Sequence, residues 1–191
     1  MRRLLLLLLL LLALPLHAAP FAKAIFAGGC FWCMESDFEK VRGVVSVVSG
    51  YTGGHVANPT YDQVSSSMTG HREAVEVTYD PAQVTYGQLV DVFWRNVDPL
   101  DDSGQFCDRG ESYTAAIFWS GAEQRRIAEI SLRNVQQRFR PERIGAKVLP
   151  ASAFYRAEEY HQDYYKKNPL RYRFYRRGCG RDARLKKVWG R

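Results

Sequence analysis

Strand-like and helix-like periods share this chain in irregular order, and that mixture limits the folds open to it. Lys23-Ala24-Ile25-Phe26-Ala27 is a short apolar run bounded by Gly28-Gly29, and Val44 to Val48 is a second. Glu73-Ala74-Val75-Glu76-Val77-Thr78-Tyr79 alternates like a strand with one wet face, and Asp80-Pro81 stops it. From Thr85 to Val97 the period turns helical, with Leu89, Val90, Phe93, Trp94 and Val97 on one stripe. A strand is expected from Tyr113 to Trp119, a charged amphipathic helix from Glu123 to Phe139 and a short strand at Lys147-Val148-Leu149. The pattern predicts a last helix from Arg156 to Lys167. Gly50-Tyr51-Thr52-Gly53-Gly54 reads as a turn, and the residues beyond Asn168-Pro169 as an irregular tail made flexible by Gly178-Cys179-Gly180. There is no internal repeat and no linker. The expectation is an α+β fold: a single two-layer domain with helices packed on a mixed β-sheet.

The first residues stand apart from that domain. Arg2 and Arg3 precede an unbroken leucine run, Leu4 to Leu12, and small residues close the segment at Ala18-Ala19. This is the pattern of a secretory signal peptide over 1–19, followed by the domain at 20–191. The apolar run falls short of the roughly 20 residues of a membrane span. An uncleaved N-terminal anchor is the alternative. The mature chain is therefore expected outside the cytosol, in the periplasm, with no stable membrane insertion once the leader is removed. The remaining length suffices for one proper core. Net charge is +7, with the excess gathered between Lys166 and Lys187. A basic run with interleaved tyrosines is one footprint of nucleic-acid binding. A solvated basic face suits an exported protein better, and no nucleic-acid partner is expected.

Four cysteines lie beyond the leader: Cys30, Cys33, Cys107 and Cys179. An even number in an oxidising compartment suggests structural disulfides. A chain this core-rich does not need such staples, so the thiols are read as working ones, with a pairing that spacing leaves open. Cys30 follows a strand and two glycines and precedes Met34 to Val41, where Phe38 and Val41 share a helical side. That places it at a helix N-terminus, where free N–H groups and the dipole favour an anion. A thiolate is such an anion, and it is the attacking form of cysteine. Phe31 and Trp32 would wall an apolar pocket, Glu73 is a candidate acid, and Tyr61 and Tyr113 are candidate hydrogen-bond donors. Cys30-Phe31-Trp32-Cys33 also fits C-x-x-C, although no β–α–β pattern is apparent around it. Zinc would want a second close pair of ligands, and neither Cys107, Cys179 nor the histidines His55, His71 and His161 supply one. The residues alone point to a thiol-dependent enzyme acting on an apolar group.

A series of short motifs goes further. Gly-Gly-Cys-Phe-Trp-Cys at 28–33, Ser-Gly-Tyr-Thr-Gly-Gly at 49–54, Asn-Pro-Thr-Tyr at 58–61 and Thr-Gly-His-Arg-Glu-Ala-Val at 69–75 occur in order. Gln-Phe-Cys-Asp-Arg-Gly at 105–110, Tyr-His-Gln-Asp-Tyr-Tyr at 160–165 and Asn-Pro-Leu-Arg-Tyr at 168–172 follow. From about Ala24 to Trp189 the chain resembles the A-class peptide methionine sulfoxide reductases. The resemblance implies reduction of the S epimer of methionine sulfoxide, free or in proteins. By it, Cys30 is the nucleophile, Glu73 the acid that protonates the sulfoxide oxygen, and Tyr61 and Tyr113 its hydrogen-bonding companions. Asp108 orders a water, and Phe31 and Trp32 receive the substrate methyl. The products are methionine and a sulfenic acid on Cys30. Cys179 is the implied resolving cysteine, with Cys33, Cys107 or direct reduction by a small thiol as alternatives; Cys107 otherwise reads as a pocket or packing residue. The resemblance also implies no metal, no organic cofactor and a thioredoxin-type dithiol donor, and a monomer is expected. The rival function is a thioredoxin-like dithiol–disulfide oxidoreductase using Cys30 and Cys33.

Overall fold

The alternating run ending at Asp80 becomes the strand around which the sheet is assembled, β3 (Arg72–Tyr79). The computed structural model describes residues 20–190, so the leader expected at 1–19 lies outside the described residues. β3 is flanked on both sides by antiparallel neighbours, β1 (Ala22–Ala27) and β2 (Val44–Thr52). Beyond β1 come β6 (Ala116–Trp119) and β7 (Lys147–Pro150), and β8 (Tyr155–Arg156) lies on the edge of β2. The six-stranded order is β7-β6-β1-β3-β2-β8, with only β6 and β7 paired in parallel. A separate two-stranded ribbon joins β4 (Gly104–Gln105) and β5 (Asp108–Arg109).

Seven helices accompany the strands among the described residues: α1 (Phe31–Phe38), α2 (Tyr61–Ser65), α3 (Tyr86–Arg95), α4 (Gly121–Arg138), α5 (Tyr164–Lys167), α6 (Pro169–Gly178) and α7 (Arg181–Trp189). Helix α3 starts where Thr85 and Gln88 form a reciprocal capping box, each side chain bonding the other's backbone N–H. Its apolar stripe, Leu89, Val90, Phe93 and Trp94, packs with Phe26, Phe38, Val75 and Val77 in the main core. Phe26 stacks on Phe38 at 4.8 Å and lies 5.6 Å from Phe93. Each such buried side chain stabilises the fold by about 1.5–3 kcal/mol. Exposed pairs on α4, such as Arg125–Glu129, contribute about 0.3–0.5 kcal/mol, so the apolar layer holds the fold. The α+β expectation is met: helices pack on a mixed sheet.

Four expectations need correction. The run at 50–54 is no turn, because Gly50, Tyr51 and Thr52 complete β2. A Cβ at Gly50 would stand 2.4 Å from Phe154 Cζ and from the Tyr155 carbonyl, so that glycine serves the approach of β8. Secondly, Arg156 to Lys167 is not one helix. Gln162 replaces ladder bonds along β2, accepting from the Ser49 N–H at 3.0 Å and donating to the Ser49 carbonyl at 2.9 Å, which holds the segment extended. Thirdly, the tail beyond Pro169 is helical, with Pro169 in the first turn of α6 and Gly180 at φ +65° turning the chain into α7. Fourthly, a split β–α–β unit does surround Cys30: β1 and β2 run parallel with β3 inserted between them.

The tail is held by charge inside the protein. Arg176 bridges Asp37 of α1 at 2.9 Å and Asp182 of α7 at 2.7 Å. Arg181, only 2% exposed, donates to the carbonyls of Asn96 at 2.6 Å and Gly28 at 3.3 Å and stacks over Phe106. Removing that guanidinium leaves buried carbonyls without a donor. Arg181→Ala should therefore lose roughly 2–3 kcal/mol of stability. A lower midpoint in urea unfolding with an unchanged slope is the expected reading.

Candidate active site

Two glycines bring Cys30 to its place. A Cβ at Gly28 would fall 2.5 Å from Met34 Sδ, and Gly29 sits at φ +80° with its would-be Cβ 2.6 Å from Gln105. No larger residue makes this turn. Cys30 becomes the N-cap of α1, its carbonyl accepting from the N–H groups of Cys33 at 3.1 Å and Met34 at 3.3 Å. Its side chain makes no capping bond. One free N–H of the helix start is met from outside instead: Phe31 N–H donates to Glu73 Oε2 at 2.9 Å.

Glu73 belongs to the same face of β3 as Val75, Val77 and Tyr79, and it pairs across to Tyr51 on β2. It is 3% exposed. That burial is the main cause lifting its pKa to about 8; Asp108 and Cys33 push the same way, while the Phe31 N–H and Tyr113 pull back. Glu73 is thus a neutral acid at pH 7. With Oε2 accepting from the amide, the proton belongs on Oε1.

Tyr61 and Tyr113 both stand close enough to Glu73 for its carboxyl to act on their phenols. Burial raises both phenols above their ordinary value, so both keep their protons as donors. Tyr61 is set by its N–H to Glu158 Oε1 at 2.8 Å, while Glu158 Oε2 accepts from Tyr51 at 2.7 Å. Phe31 lies against Tyr51, Tyr61 and His161. Trp32 stacks on Tyr164 at 3.7 Å and donates its indole N–H to His161 Nδ1 at 3.0 Å. Burial lowers the His161 pKa to about 4, so it accepts that bond as the neutral ring. Tyr51, Glu158, His161 and Tyr164 form this support, and residue-by-residue reading missed their roles. Tyr51 was hidden among glycines and Glu158 inside an expected helix.

The thiols form two pairs. Cys30 and Cys33 are free and buried in one cluster with Tyr172. Burial pushes Cys30 well up, with Cys33 and Glu73 adding to the shift. Cys33 is lowered to about 7, first by the neighbouring Cys30 and then by Arg181 and Arg176. Cys107 and Cys179 are joined in a disulfide across 72 positions, Cα atoms 4.9 Å apart. Cys107 is therefore a bonding partner, correcting its reading as a packing residue. Cys179 caps α6, one turn beyond Tyr175. The Tyr175 hydroxyl donates to Asp108 Oδ2 at 2.5 Å, and its ring packs against the cluster that holds Cys30 and Cys33. The fold thus brings Cys30, Phe31, Trp32, Tyr61, Glu73, Asp108 and Tyr113 together. Beside Trp32 runs a groove of about 590 Å³, lined mainly by Tyr164, Leu170, Phe174 and Tyr175.

A buried thiol beside a neutral carboxylic acid and two phenols is an arrangement for attack on a centre that releases an oxygen. The family model for peptide methionine sulfoxide reductase matches residues 22–191. The chain belongs to that family. It is 56% identical to peptide methionine sulfoxide reductase MsrA 2 of Caulobacter vibrioides over the full length of both chains. Among solved structures it is similar to methionine sulfoxide reductase A of Corynebacterium diphtheriae. That match has a TM-score of 0.70 and 34% identity, and covers 78% of this chain and 76% of that one. It is also similar to reduced Mxr1 of Saccharomyces cerevisiae, with a TM-score of 0.74 and 28% identity, covering 78% and 87%. As a member of the A class, this chain is an oxidoreductase that reduces methionine sulfoxide.

If Glu73 is the proton donor of this reductase, the sulfoxide step should slow as pH rises through about 8, where the acid ionises. Glu73→Gln should remove that alkaline fall and slow single-turnover reduction by about 10²–10⁴-fold. Rapid-quench kinetics across pH 6–9.5 (roughly the range that spans the fall) would check both.

Proposed function

We propose that this reductase acts on the S epimer of methionine sulfoxide in exported proteins, with Cys30 as nucleophile and Glu73 as acid. The observation that carries the proposal is the 2.9 Å bond from Phe31 to Glu73, which sets a protonated carboxyl beside the helix start that bears Cys30. Attack of the Cys30 sulfur, its proton lost as the new bond forms, drives negative charge onto the sulfoxide oxygen. Glu73 donates its proton there, and the Tyr61 and Tyr113 hydroxyls stabilise the charge as it develops. Asp108 holds a water for the return of a proton. Phe31 and Trp32 offer the flat apolar wall that takes a methyl group, and a chiral pocket separates the two epimers. Methionine leaves, and Cys30 is left as a sulfenic acid.

Regeneration runs through Cys179, on the helix whose Tyr175 covers Cys30, and ends with a dithiol donor of thioredoxin type. Mxr1, one of the similar proteins, has been solved in complex with Trx2, which supports that class of donor. No metal or organic cofactor is needed, and the working form is a monomer. The leader pattern at 1–19 supports export to the periplasm and a role in repairing oxidised envelope proteins.

With residues 20–191, dithiothreitol and separate epimers of a sulfoxide peptide, the S form should be reduced and the R form left intact. Cys30→Ser should abolish the activity. Reduction of R, or activity surviving in Cys30→Ser, would overturn the reading. Export has its own check. Intact mass of the chain from a periplasmic fraction should show loss of about 19 residues, and full-length protein confined to the cytosol would rule it out.

A further inference from the structure

Trp32 belongs to two surfaces. It stands beside Phe31 in the wall of the pocket, and it also lines the groove of about 590 Å³ that runs under α5 and α6. Tyr164 stacks on it there at 3.7 Å, and Tyr175 meets it edge-on at 5.7 Å. The far side of the groove is formed by Leu170 and Phe174, one turn apart on α6 and 73% and 84% exposed. Phe174 is the most exposed large apolar side chain among the described residues. Neither side chain joins a core cluster, so the fold itself has no use for them. Arg171 lines the same groove, and its guanidinium has no ion pair or hydrogen bond among the described residues. An apolar surface of this kind, left uncovered beside a reacting site, is where another molecule settles.

We infer that this groove receives the residues flanking the sulfoxide in an oxidised polypeptide, and that it selects a bulky apolar side chain next to the sulfoxide with a carboxylate beyond it. The inference rests on the function proposed above, in which Trp32 takes the substrate methyl. A methionine held against Trp32 brings its neighbours with it, because successive Cα atoms are only about 3.8 Å apart. Those neighbours must land on whatever adjoins Trp32. On the α6 side that surface is Tyr164, Tyr175, Leu170 and Phe174. A phenylalanine or leucine of the substrate covers these side chains and is covered by them, removing apolar surface from water on both partners. A carboxylate one residue further out meets Arg171. Free methionine sulfoxide has no flanking side chains and gains nothing from the groove.

Other occupants fit less well. A dithiol donor must reach the Cys107–Cys179 disulfide, and Cys179 opens on a different, polar surface beside Asp98, Asp101, Phe106 and Arg109. No cysteine lines the groove. A second copy of the chain would need an interface of roughly 20–30 residues a side, whereas the groove is lined by six. What the groove shares with the reacting site is Trp32, and the molecule that uses both is the substrate.

The test is a competition with dithiothreitol as reductant, in which two peptides of the S-sulfoxide share one reaction and the product ratio gives the ratio of kcat/KM. The peptides are identical except for phenylalanine or alanine on both sides of the sulfoxide. The phenylalanine peptide should be favoured about tenfold. That preference should vanish in Leu170→Ser/Phe174→Ser, while free S-methionine sulfoxide is reduced by the variant as before. Glutamate in place of lysine at the outer positions should add about two- to fivefold, and Arg171→Glu should reverse that part alone. Equal reduction of the two peptides by the unsubstituted chain, or a preference that survives the double substitution, would overturn the groove assignment and leave the reductase reading intact. No reduction of any sulfoxide would sink the reductase reading and the groove with it. If the double substitution raises KM for a thioredoxin-type donor but leaves the peptide ratio unchanged, the groove belongs to the donor and the proposal fails. It fails equally if sedimentation shows a dimer that the substitution dissociates while the peptide ratio stays the same.

Discussion

The bond from the Phe31 amide to Glu73 couples the two elements on which everything else at the site depends. It completes the start of α1, whose N-cap is the reactive cysteine and cannot cap itself. It also fixes which carboxyl oxygen accepts and which one carries the acidic proton. A carboxyl at the end of a core-facing row of β3 is held neutral by burial, and the same burial shields the thiols. One placement therefore sets the nucleophile's helix, the acid's protonation state and the dryness of the pocket.

Around that bond the protein spends polar groups in pairs. Glu158 serves Tyr51 and Tyr61, His161 receives Trp32, and Asp108 receives Tyr175. Each pairing orients a ring that faces the site. The wall formed by Phe31 and Trp32 is thus fixed by hydrogen bonds behind it as well as by packing, which is what discrimination between two epimers of similar shape requires. The basic tail belongs to the same construction. Arg176 and Arg181 lie buried against α1 and the Gly28 turn, where they face Cys33 rather than solvent.

Much of this was legible before any coordinates. The alternation over 73–79, the helical stripe over 85–97 and the two glycines before Cys30 each map onto an observed element. The burial of Glu73 could have been read as well, since it shares a period of two with Val75, Val77 and Tyr79. Other parts were out of reach. The helix α6 has almost no aliphatic stripe, because its tyrosines pack on thiols and its Arg176 finds partners on α1 and α7. Local pattern carries no trace of partners so distant. The segment 155–167 failed for the same reason, since Gln162 and β8 are held by the edge of β2.

By itself the sequence determined the class of fold, the site of the nucleophile and the motif series that names the chemistry, because periodicity and glycine placement are local properties of a chain. Only the tertiary structure decided how the four cysteines pair. The resemblance offered Cys179 as the resolving thiol in a flexible tail; the fold binds it to Cys107 and leaves Cys33 in one cluster with Cys30. The physical reason is that a disulfide depends on the separation of two Cα atoms in space, and the 72 positions between Cys107 and Cys179 reveal nothing of it until β5 and α6 are packed together.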